Sequence, residues 1–229
     1  MKIEAYEKQI NMQEILLQYY QIQIRPHFFL NCLKNIYGMA EERKYESIQK
    51  NILYLSNHLR YILRDSARIV TLEDELQYVR NYILLQQLSA KYPPECLIDG
   101  AEEMMALKIP AVSVLSFVEN AVKYYAGNAD ALKIHIRLNM LVNEEEEIAN
   151  ITICDNGKGF TEEQLSEYNY YDEKKNHGGH IGIHNVIQRF LLYYGRENVG
   201  FAFSNHNGAQ VDIFIRNYRE KEDESDGDR

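Results

Sequence analysis

Residues 148–160 read IANITICDNGKGF, and this stretch decides the fold of the chain. Its first seven residues are rich in β-branched side chains, which predicts a strand that ends at Cys154. The segment Asp155-Asn156-Gly157-Lys158-Gly159 follows at once. A carboxylate at a strand end can accept a hydrogen bond from an exocyclic amine such as that of adenine, and two glycines let the backbone approach a ligand closely. Taken alone, the same residues favour an ordinary β-turn.

A second polar segment, Glu119-Asn120-Ala121-Val122-Lys123, lies in a helix that the apolar spacing predicts over residues 110–125. Asn120 and Lys123 are three residues apart and therefore lie on one face of that helix. An amide oxygen is a suitable hard ligand for Mg²⁺, and a lysine one turn later can neutralise phosphate charge. The alternative is an amphipathic helix with exposed polar residues.

The third segment, residues 178–185, reads GGHIGIHN and precedes a helix predicted from Ile183 to Tyr194. Three glycines lead into a helix N-terminus, where free N–H groups and the helix dipole favour phosphate. The same glycines would suit a mobile lid. A flexible loop without function is the alternative.

Further strands surround these segments. We predict strands at Glu95–Asp99 and Lys133–Leu141, and a final hairpin of Val199–Ser204 with Gln210–Arg216 around Asn207-Gly208. Strands and helices alternate from residue 91 onward, so the sequence predicts an α+β domain after an all-α region.

The first 27 residues carry a heptad pattern. Apolar residues recur every seven positions, and a second series lies between them: Ile3, Ile10, Leu17 and Ile24, then Tyr6, Gln13, Tyr20 and His27. Alternating steps of three and four are typical of a coiled-coil seam, although a single amphipathic helix fits the pattern nearly as well. Pro26 has no N–H and clashes with the preceding turn, so it must begin a new helix or kink this one.

Two amphipathic helices joined by a short polar turn are predicted after Pro26, and they form an αα-hairpin. Their apolar positions are Phe29, Leu30, Leu33, Ile36, Tyr37 and Ala40, then Ile48, Ile52, Leu55, Leu59 and Ile62. Thr71, with Asp74 three residues later, resembles a capping box that begins another helix running to about Ser89.

Bulk composition excludes several classes of protein. The chain has 229 residues, 45% of them apolar, and a net charge of −9. This charge argues against a nucleic-acid surface, because such a surface is basic. Three scattered cysteines suit a reducing compartment and predict neither a disulfide framework nor a zinc ribbon. We find no apolar run of membrane-spanning length and no signal peptide, so we expect a soluble, cytoplasmic chain.

The three polar segments, in this order, resemble the N box (residues 119–123), G1 box (155–159) and G2 box (178–185) of the GHKL ATPase superfamily, which includes histidine kinases and gyrase-type ATPases. Residues 23–31, QIRPHFFLN, resemble the phosphoacceptor motif of LytS/YesM-type sensor histidine kinases. The likeness continues through Leu72-Glu-Asp-Glu-Leu, Asn81-Tyr82 and Asn185-x-x-x-Arg189. It covers about nine-tenths of the chain.

This resemblance implies a site and an activity. His27 would be the phosphorylated residue, and Asn31 one turn later would orient it. The expected ligands are ATP and Mg²⁺, with Asn120 on the metal. The nucleotide-binding residues implied are Asn120, Lys123, Asp155, Gly157, Gly159, Gly179, Gly182 and Asn185. Asp155 would bind adenine, Lys123 would lie near the phosphates and Gly182 would belong to the lid.

The resemblance also implies an architecture: a signalling coiled coil (1–25), a helical dimerisation and phosphotransfer region (26–90), a GHKL α/β sandwich that binds ATP (91–218) and an acidic tail (219–229). Its partners would be a second copy of the chain and the receiver domain of a response regulator. Members of this family are commonly tethered to membranes through segments that this chain does not show.

Three departures from the family pattern affect the lid and the last strands more than the nucleotide pocket. Tyr124 replaces the usual histidine, His180 replaces a glycine in the G2 box, and Gly208-Ala209-Gln210 replaces Gly-Gly-Thr. Two other functions are therefore weighed: a catalytically weak, nucleotide-binding dimeric scaffold, and a GHKL ATPase or serine kinase of the anti-sigma type. The complete motif around His27 argues against the latter. The spacing of His177, His180 and His184 suits a metal, but no fourth ligand is evident.

Overall fold

A computed structural model describes residues 26–63, 69–88, 90, 92–125, 131–142, 147–170 and 181–216 of the chain. The side chains of residues 26–28, 62, 63 and 181 lie outside this description. The predicted coiled coil (1–25), the acidic tail (219–229), Gly179, His177 and His180 also lie outside it, so their predictions stay predictions.

The predicted αα-hairpin is confirmed. Helix α1 spans Pro26–Glu41 and helix α2 spans Tyr45–Leu63, and the turn between them places Arg43 at a φ of 55°. Cys32 of α1 and Leu55 of α2 are buried together with Leu85 from a later helix, and these three residues form a small core of their own. The hairpin therefore packs against the rest of the molecule.

A two-stranded sheet follows the hairpin and was not predicted. Strand β1 (Ile69–Thr71) pairs antiparallel with β3 (Lys108–Pro110). Each strand has three residues, too few to show an alternating pattern. Helix α3 (Leu72–Gln87) begins where Thr71 accepts a hydrogen bond from the Asp74 N–H at 3.1 Å, as the sequence predicts.

The central sheet has five strands in the order β2-β4-β5-β7-β6. These are β2 (Glu95–Gly100), β4 (Lys133–Val142), β5 (Glu147–Asp155), β6 (Val199–Asn205) and β7 (Ala209–Arg216). Strand β2 runs parallel to β4, and the other pairs are antiparallel. All five strands were predicted, within two residues at each end. The parallel pairing was not, because strand order is set by packing between distant segments.

Three helices complete the α/β region: α4 (Ser113–Tyr124), α5 (Glu162–Asn169) and α6 (Ile181–Tyr194). Helix α4 begins three residues later than predicted, because Pro110 belongs to β3 and Val112 adopts a left-handed conformation with a φ of 60°. Helix α5 was not predicted, although a capping box between Thr161 and Gln164 marks its start.

One large core joins the helices to one face of the sheet. The alternate strand residues Ile134, Ile136, Leu138, Ala149, Ile151, Ile153, Val211, Ile213 and Ile215 are buried against Leu76, Val79, Leu115, Val118, Val186 and Phe190 of α3, α4 and α6. This core includes six buried residues between positions 70 and 83 that the sequence assigns to the phosphotransfer region: Val70, Leu72, Leu76, Val79, Tyr82 and Ile83. Among the described residues, no helix is long and apolar enough to cross a membrane.

Candidate functional site

Asp155 ends the central strand β5, where the sequence predicts the adenine acceptor. Its Oδ1 accepts hydrogen bonds from the N–H groups of Gly157 at 2.7 Å and Ala209 at 3.2 Å. Burial raises the pKa of this carboxyl group, while the two backbone donors act in the opposite direction. The N–H groups of Gly157 and Ala209 both donate to Oδ1, so the geometry gives Asp155 a fixed orientation.

The loop after Asp155 is held from two sides. Asn156 accepts a hydrogen bond from the Lys133 N–H at 2.8 Å and donates to the Ala131 carbonyl at 3.1 Å. Asn205 accepts from the Phe160 N–H at 2.8 Å and donates to the Phe160 carbonyl at 2.9 Å. These four bonds make the G1 box a rigid loop rather than a free turn.

Glycines are required where this loop meets the turn between β6 and β7. A Cβ on Gly208 would lie 2.0 Å from the Asp155 carbonyl oxygen, and a Cβ on Gly159, at a φ of 73°, would lie 2.5 Å from Asn205 Oδ1. A Cβ on Gly157 would lie 2.9 Å from Asp155 Oδ1. Gly157 and Gly208 thus let the G1 loop and the β6–β7 turn close around the Asp155 carboxylate, and Gly159 lets the loop meet Asn205.

The N box and the G1 box meet at Tyr124. Lys123 Nζ lies 3.0 Å from the Tyr124 hydroxyl oxygen and 4.6 Å from the centre of its ring. Lys158 Nζ, from the G1 box, lies 5.5 Å from the same ring centre. Asn120 is half-buried one turn earlier on α4. Two amines from separate segments therefore share one exposed aromatic ring, which creates a local concentration of positive charge.

An aromatic cluster supports the loop from behind. Phe203 of β6 lies 5.8 Å from Phe160, 5.0 Å from Tyr168 and 6.4 Å from Phe117, measured between ring centres. These four rings come from the G1 loop, α4, α5 and β6. They connect the elements that carry the predicted site residues through direct packing.

The two helices that flank residues 171–180 are joined by His184 and Glu167. His184 Nε2 of α6 lies 2.9 Å from Glu167 Oε1 of α5. Asn185, the next residue, is half-buried, and Gly182 is exposed with open space around the position of a Cβ. The structure therefore places Gly182 and Asn185 at the start of α6 and shows no steric need for glycine at residue 182.

Helix α4 is capped by a carboxylate from another helix. Glu75 of α3 is fully buried and accepts hydrogen bonds from the N–H groups of Val112 at 2.9 Å and Leu115 at 3.0 Å. The hydroxyl of Tyr61 donates to the same carboxylate. Burial raises the pKa of Glu75, while these donors and the nearby Arg189 lower it. Glu75 thus supplies the N-cap that Val112 cannot provide.

Arg189 of α6 completes this buried network. Its guanidinium donates to the Ala111 carbonyl and lies 3.5 Å from the Val112 carbonyl oxygen. Burial lowers the pKa of Arg189 to about 10. The helix that follows the G2 box is therefore fixed to the start of the helix that carries the N box.

The predicted phosphoacceptor lies apart from these boxes, on the hairpin. His27 is in the first turn of α1, and its side chain lies outside the description. Asn31 is exposed and lines a cleft of about 710 Å³, together with residues from the α1–α2 turn and the end of α3. The residues that line this cleft belong to none of the three boxes.

In the described part of the chain, no three His, Cys, Asp or Glu side chains form a cluster that could bind a metal ion. Of the three histidines considered above, only His184 is described, and it pairs with Glu167.

Two family profiles match the chain in succession. The profile described as histidine kinase matches residues 15–92, and the profile described as histidine kinase-, DNA gyrase B-, and HSP90-like ATPase matches residues 112–218. Together they cover most of the sequence in the order that the motifs predict. The chain belongs to the histidine kinase family. It is of the LytS/YesM type.

A curated relative of the chain is also named as a sensor kinase. The sensor protein kinase HptS of Staphylococcus aureus is 27% identical over 211 residues, which make up 90% of this chain and 38% of HptS. The chain thus spans about 38% of the length of the relative that it matches.

Solved structures share the fold. A bacterial phosphotransferase superposes with a TM-score of 0.52 at 10% identity, over 87% of this chain and 95% of that one. The catalytic domain of the histidine kinase ThkA has a TM-score of 0.47 at 16% identity, over 67% and 97%. The profile match over residues 112–218 and the five-stranded mixed sheet with its helices show a helical region followed by a GHKL-type α/β sandwich, as the sequence predicts.

Sequence reasoning missed the buried network around Glu75. A signal was present, because Glu75 falls on the apolar stripe of α3 with Leu72, Leu76 and Val79, all of them buried. A charged residue in such a position must have partners. His58 and Tyr61 carried no comparable signal, because neither belongs to the apolar stripe that the sequence shows on α2.

Proposed function

We propose that this chain is the ATP-dependent kinase part of a two-component sensor histidine kinase, which phosphorylates His27 and passes the phosphoryl group to an aspartate of a response regulator. The observation that carries the proposal is the meeting of the N and G1 boxes: Lys123 and Lys158 share the ring of Tyr124 beside the rigid loop of Asp155. A positive cluster next to a fixed carboxylate suits a nucleotide with a base at one end and phosphates at the other.

Asp155 is the proposed acceptor for the adenine amine. The hydrogen bonds from Gly157 and Ala209 orient its carboxylate, and the glycine cradle leaves space where a Cβ would otherwise lie. Gly157 and Gly159 would flank the base. Gly179, Gly182 and Asn185 are proposed to contact the nucleotide from the lid and the first turn of α6, where free N–H groups favour phosphate.

Lys123 is proposed to neutralise the phosphates, and Asn120 to bind Mg²⁺. An amide oxygen is a donor that Mg²⁺ accepts, and the half-buried position of Asn120 on α4 fits one such ligand. When bound, the metal would offset the negative charge of the phosphate oxygens. The chain itself contributes orientation and positive charge, which are what phosphoryl transfer chiefly requires.

His27 is the proposed nucleophile, and Asn31 one turn later would orient its ring. A neutral imidazole is a competent nucleophile near pH 7, because its ordinary pKa is about 6.5. The position of His27 at the start of α1, rather than in a buried helix interior, supports this role.

A second copy of the chain is the proposed partner of the hairpin. Apolar side chains on its outer surface remain exposed: Leu30, Leu33, Tyr37, Tyr45, Ile52 and Leu53. Leu30, Leu33 and Tyr37 lie on one stripe of α1, and such a contiguous face is typical of an interface. We expect a homodimer at micromolar concentration, and sedimentation that shows only monomer would contradict this.

The direct test uses ATP labelled in its γ-phosphate. Incubation with Mg²⁺ should give a label on the chain that acid removes and alkali does not, and His27→Ala should abolish it. His135→Ala is the matched control, because His135 lies on β4 in an exposed pair with Asp99. If nucleotide binds but no label appears on the wild-type chain, the scaffold function considered above would replace the kinase.

A further inference from the structure

Two polar side chains on α2 are buried on the face that contacts the ATPase fold. His58 is 2% exposed and Tyr61 is 3% exposed, and they lie three residues apart on one side of the helix. Buried polar groups destabilise a protein unless they have partners. Each of them has a carboxylate partner outside the hairpin: Glu119 for His58 and Glu75 for Tyr61. The carboxylate partners distinguish both residues from the apolar contacts of α2.

Tyr61 reaches the N-terminal end of α4. Its hydroxyl donates to Glu75, whose carboxylate caps the Val112 and Leu115 N–H groups. Its ring stacks on Tyr78 of α3, with 3.5 Å between the ring centres. The hairpin is thus connected through Tyr61 to the residue that fixes the start of the N-box helix.

His58 reaches the C-terminal half of the same helix. His58 Nε2 lies 3.7 Å from Oε1 of Glu119, the residue that precedes Asn120. The His58 ring lies 6.4 Å from the ring of Phe29, which is two residues after His27 on α1. His58 therefore stands between the phosphoacceptor turn and the N box.

We propose that His58 and Tyr61 are positioning residues for phosphoryl transfer: together they fix α2 against the start and the middle of α4 and so set the separation between the turn of His27 and Asn120. The inference rests on the proposed autophosphorylation of His27. In this proposal, His58 and Tyr61 align His27 with the nucleotide, although neither side chain binds the nucleotide or accepts the phosphoryl group. Because transfer depends mostly on positioning, small displacements should reduce its rate.

The kinetic test uses Tyr61→Phe and His58→Leu in the whole chain. Each variant should autophosphorylate about ten- to hundredfold more slowly at saturating ATP, as expected for a misplacement of about 1 Å. The ATP concentration at half-maximal rate should stay at the wild-type value. His58→Gln should recover much of the rate, because its amide still donates towards Glu119.

Matched controls separate positioning from general damage. Tyr92→Phe makes the same change on an exposed residue that precedes β2, and His135→Leu removes an exposed histidine–carboxylate pair. Both should keep the wild-type rate. Unchanged rates in Tyr61→Phe and His58→Leu would overturn the inference. So would a faster rate, or a parallel loss of rate and nucleotide affinity.

Amide hydrogen exchange gives a second readout that needs no kinase activity. The Leu115 N–H should exchange slowly in the wild type and faster in Tyr61→Phe, because Glu75 loses one of the donors that hold it in place. Equal exchange in the two proteins would contradict the proposed docking. A wild-type chain that takes up no phosphate label from ATP would instead contradict the proposed autophosphorylation. Failure of the proposed docking and failure of the proposed function therefore give different results.

Discussion

Asp155, the proposed acceptor for adenine, is a half-buried carboxyl group whose ionisation lowers the stability of the fold. Its side chain accepts two backbone hydrogen bonds on Oδ1, yet burial still raises its pKa. Because the folded-state pKa lies above the unfolded value, the stabilising contribution of this group is complete below the unfolded pKa and is lost as the pH rises through the folded pKa. Near neutral pH the ionised carboxylate therefore costs folding free energy, which a bound base would offset.

Asp155→Asn should weaken ATP binding while leaving the fold intact. The amide oxygen can still accept from Gly157 and Ala209, but its NH₂ group would face the adenine amine. A donor left unpaired costs about 1–3 kcal/mol, or roughly ten- to hundredfold in affinity. Calorimetry with ATP measures this loss, and Asp99→Asn, on an exposed residue of β2, is the control. Thermal unfolding of the free protein near neutral pH should show no destabilisation.

The affinity for ATP should also depend on pH through Asp155. The ionised carboxylate is a stronger acceptor for the adenine amine than the protonated carboxyl group, so affinity is highest above the pKa of Asp155 and falls as the pH drops through it. The raised pKa means that this fall begins at a higher pH than for an ordinary aspartate. The affinity of Asp155→Asn, measured at the same pH values, corrects for the protonation of ATP itself. The difference in affinity between wild type and variant should shrink as the pH falls; a constant difference would show that Asp155 does not contact the base.

At the scale of elements, the helix that carries the N box depends on its neighbours for its start. Val112 occupies the N-cap with a φ of 60° and makes no side-chain cap. Glu75 of α3 accepts from the first N–H groups instead, and Arg189 of α6 donates to the preceding carbonyl of Ala111. The start of the helix that carries Asn120 is therefore held by α3 and α6 together.

Glu75→Gln should destabilise the fold, whereas Glu73→Gln on the exposed face of the same helix should not. Glutamine keeps one acceptor oxygen but turns an NH₂ group towards a donor, either Leu115 N–H or the pair of Val112 and Tyr61. Leaving one such buried donor unsatisfied costs about 1–3 kcal/mol. Urea unfolding of both variants measures the difference. Equal free energies of unfolding would show that the cap contributes nothing.

The sequence predicted the elements better than their assembly. Hydrophobic periodicity located both hairpin helices, all five strands of the central sheet, the helix that carries the N box and the helix that follows the G2 box. It did not predict the β1–β3 pair, because three-residue strands show no period. Helix α5 was missed, although its capping box is visible in the sequence at Thr161. Helix and strand patterns depend on residues that are close in sequence, whereas the pairing of strands depends on residues that are far apart in sequence.

The site shows the same division. The motifs placed Asp155, Gly157 and Gly159 in one rigid loop, as the structure has them. Lys158 and Tyr124 were not assigned a role, because the approach of Lys158 to the Tyr124 ring depends on how α4 packs against the sheet. The roles of all these residues stay predictions until nucleotide is bound.

At the scale of the whole molecule, the hairpin and the sandwich are joined by buried contacts. The larger core takes in Tyr61 of α2 and most of the buried face of α3. The division of the chain into regions 26–90 and 91–218 stays a prediction. The packing indicates that α3 moves with the sandwich, since its side chains Leu72, Leu76 and Val79 are fully buried there.

Mixed dimers should reveal whether transfer runs within one chain or between two. His27→Ala removes the acceptor, and Asn120→Ala impairs the nucleotide site while leaving His27 available. If transfer runs between chains, a heterodimer with one change in each chain should recover label on the Asn120→Ala subunit. If it runs within a chain, the mixture should stay unlabelled. Homodimers of each variant are the controls.

The most direct measurement is the position of the phosphoryl group on the wild-type chain. After incubation with Mg²⁺ and ATP, mass spectrometry of peptides kept at neutral or alkaline pH should find phosphate on His27 and on no other histidine. The account predicts that His27→Ala loses this phosphate but keeps its affinity for Mg²⁺-ATP, because the acceptor lies outside the nucleotide pocket. Substantial acid-labile phosphate on another residue, or on the His27→Ala chain, would contradict it.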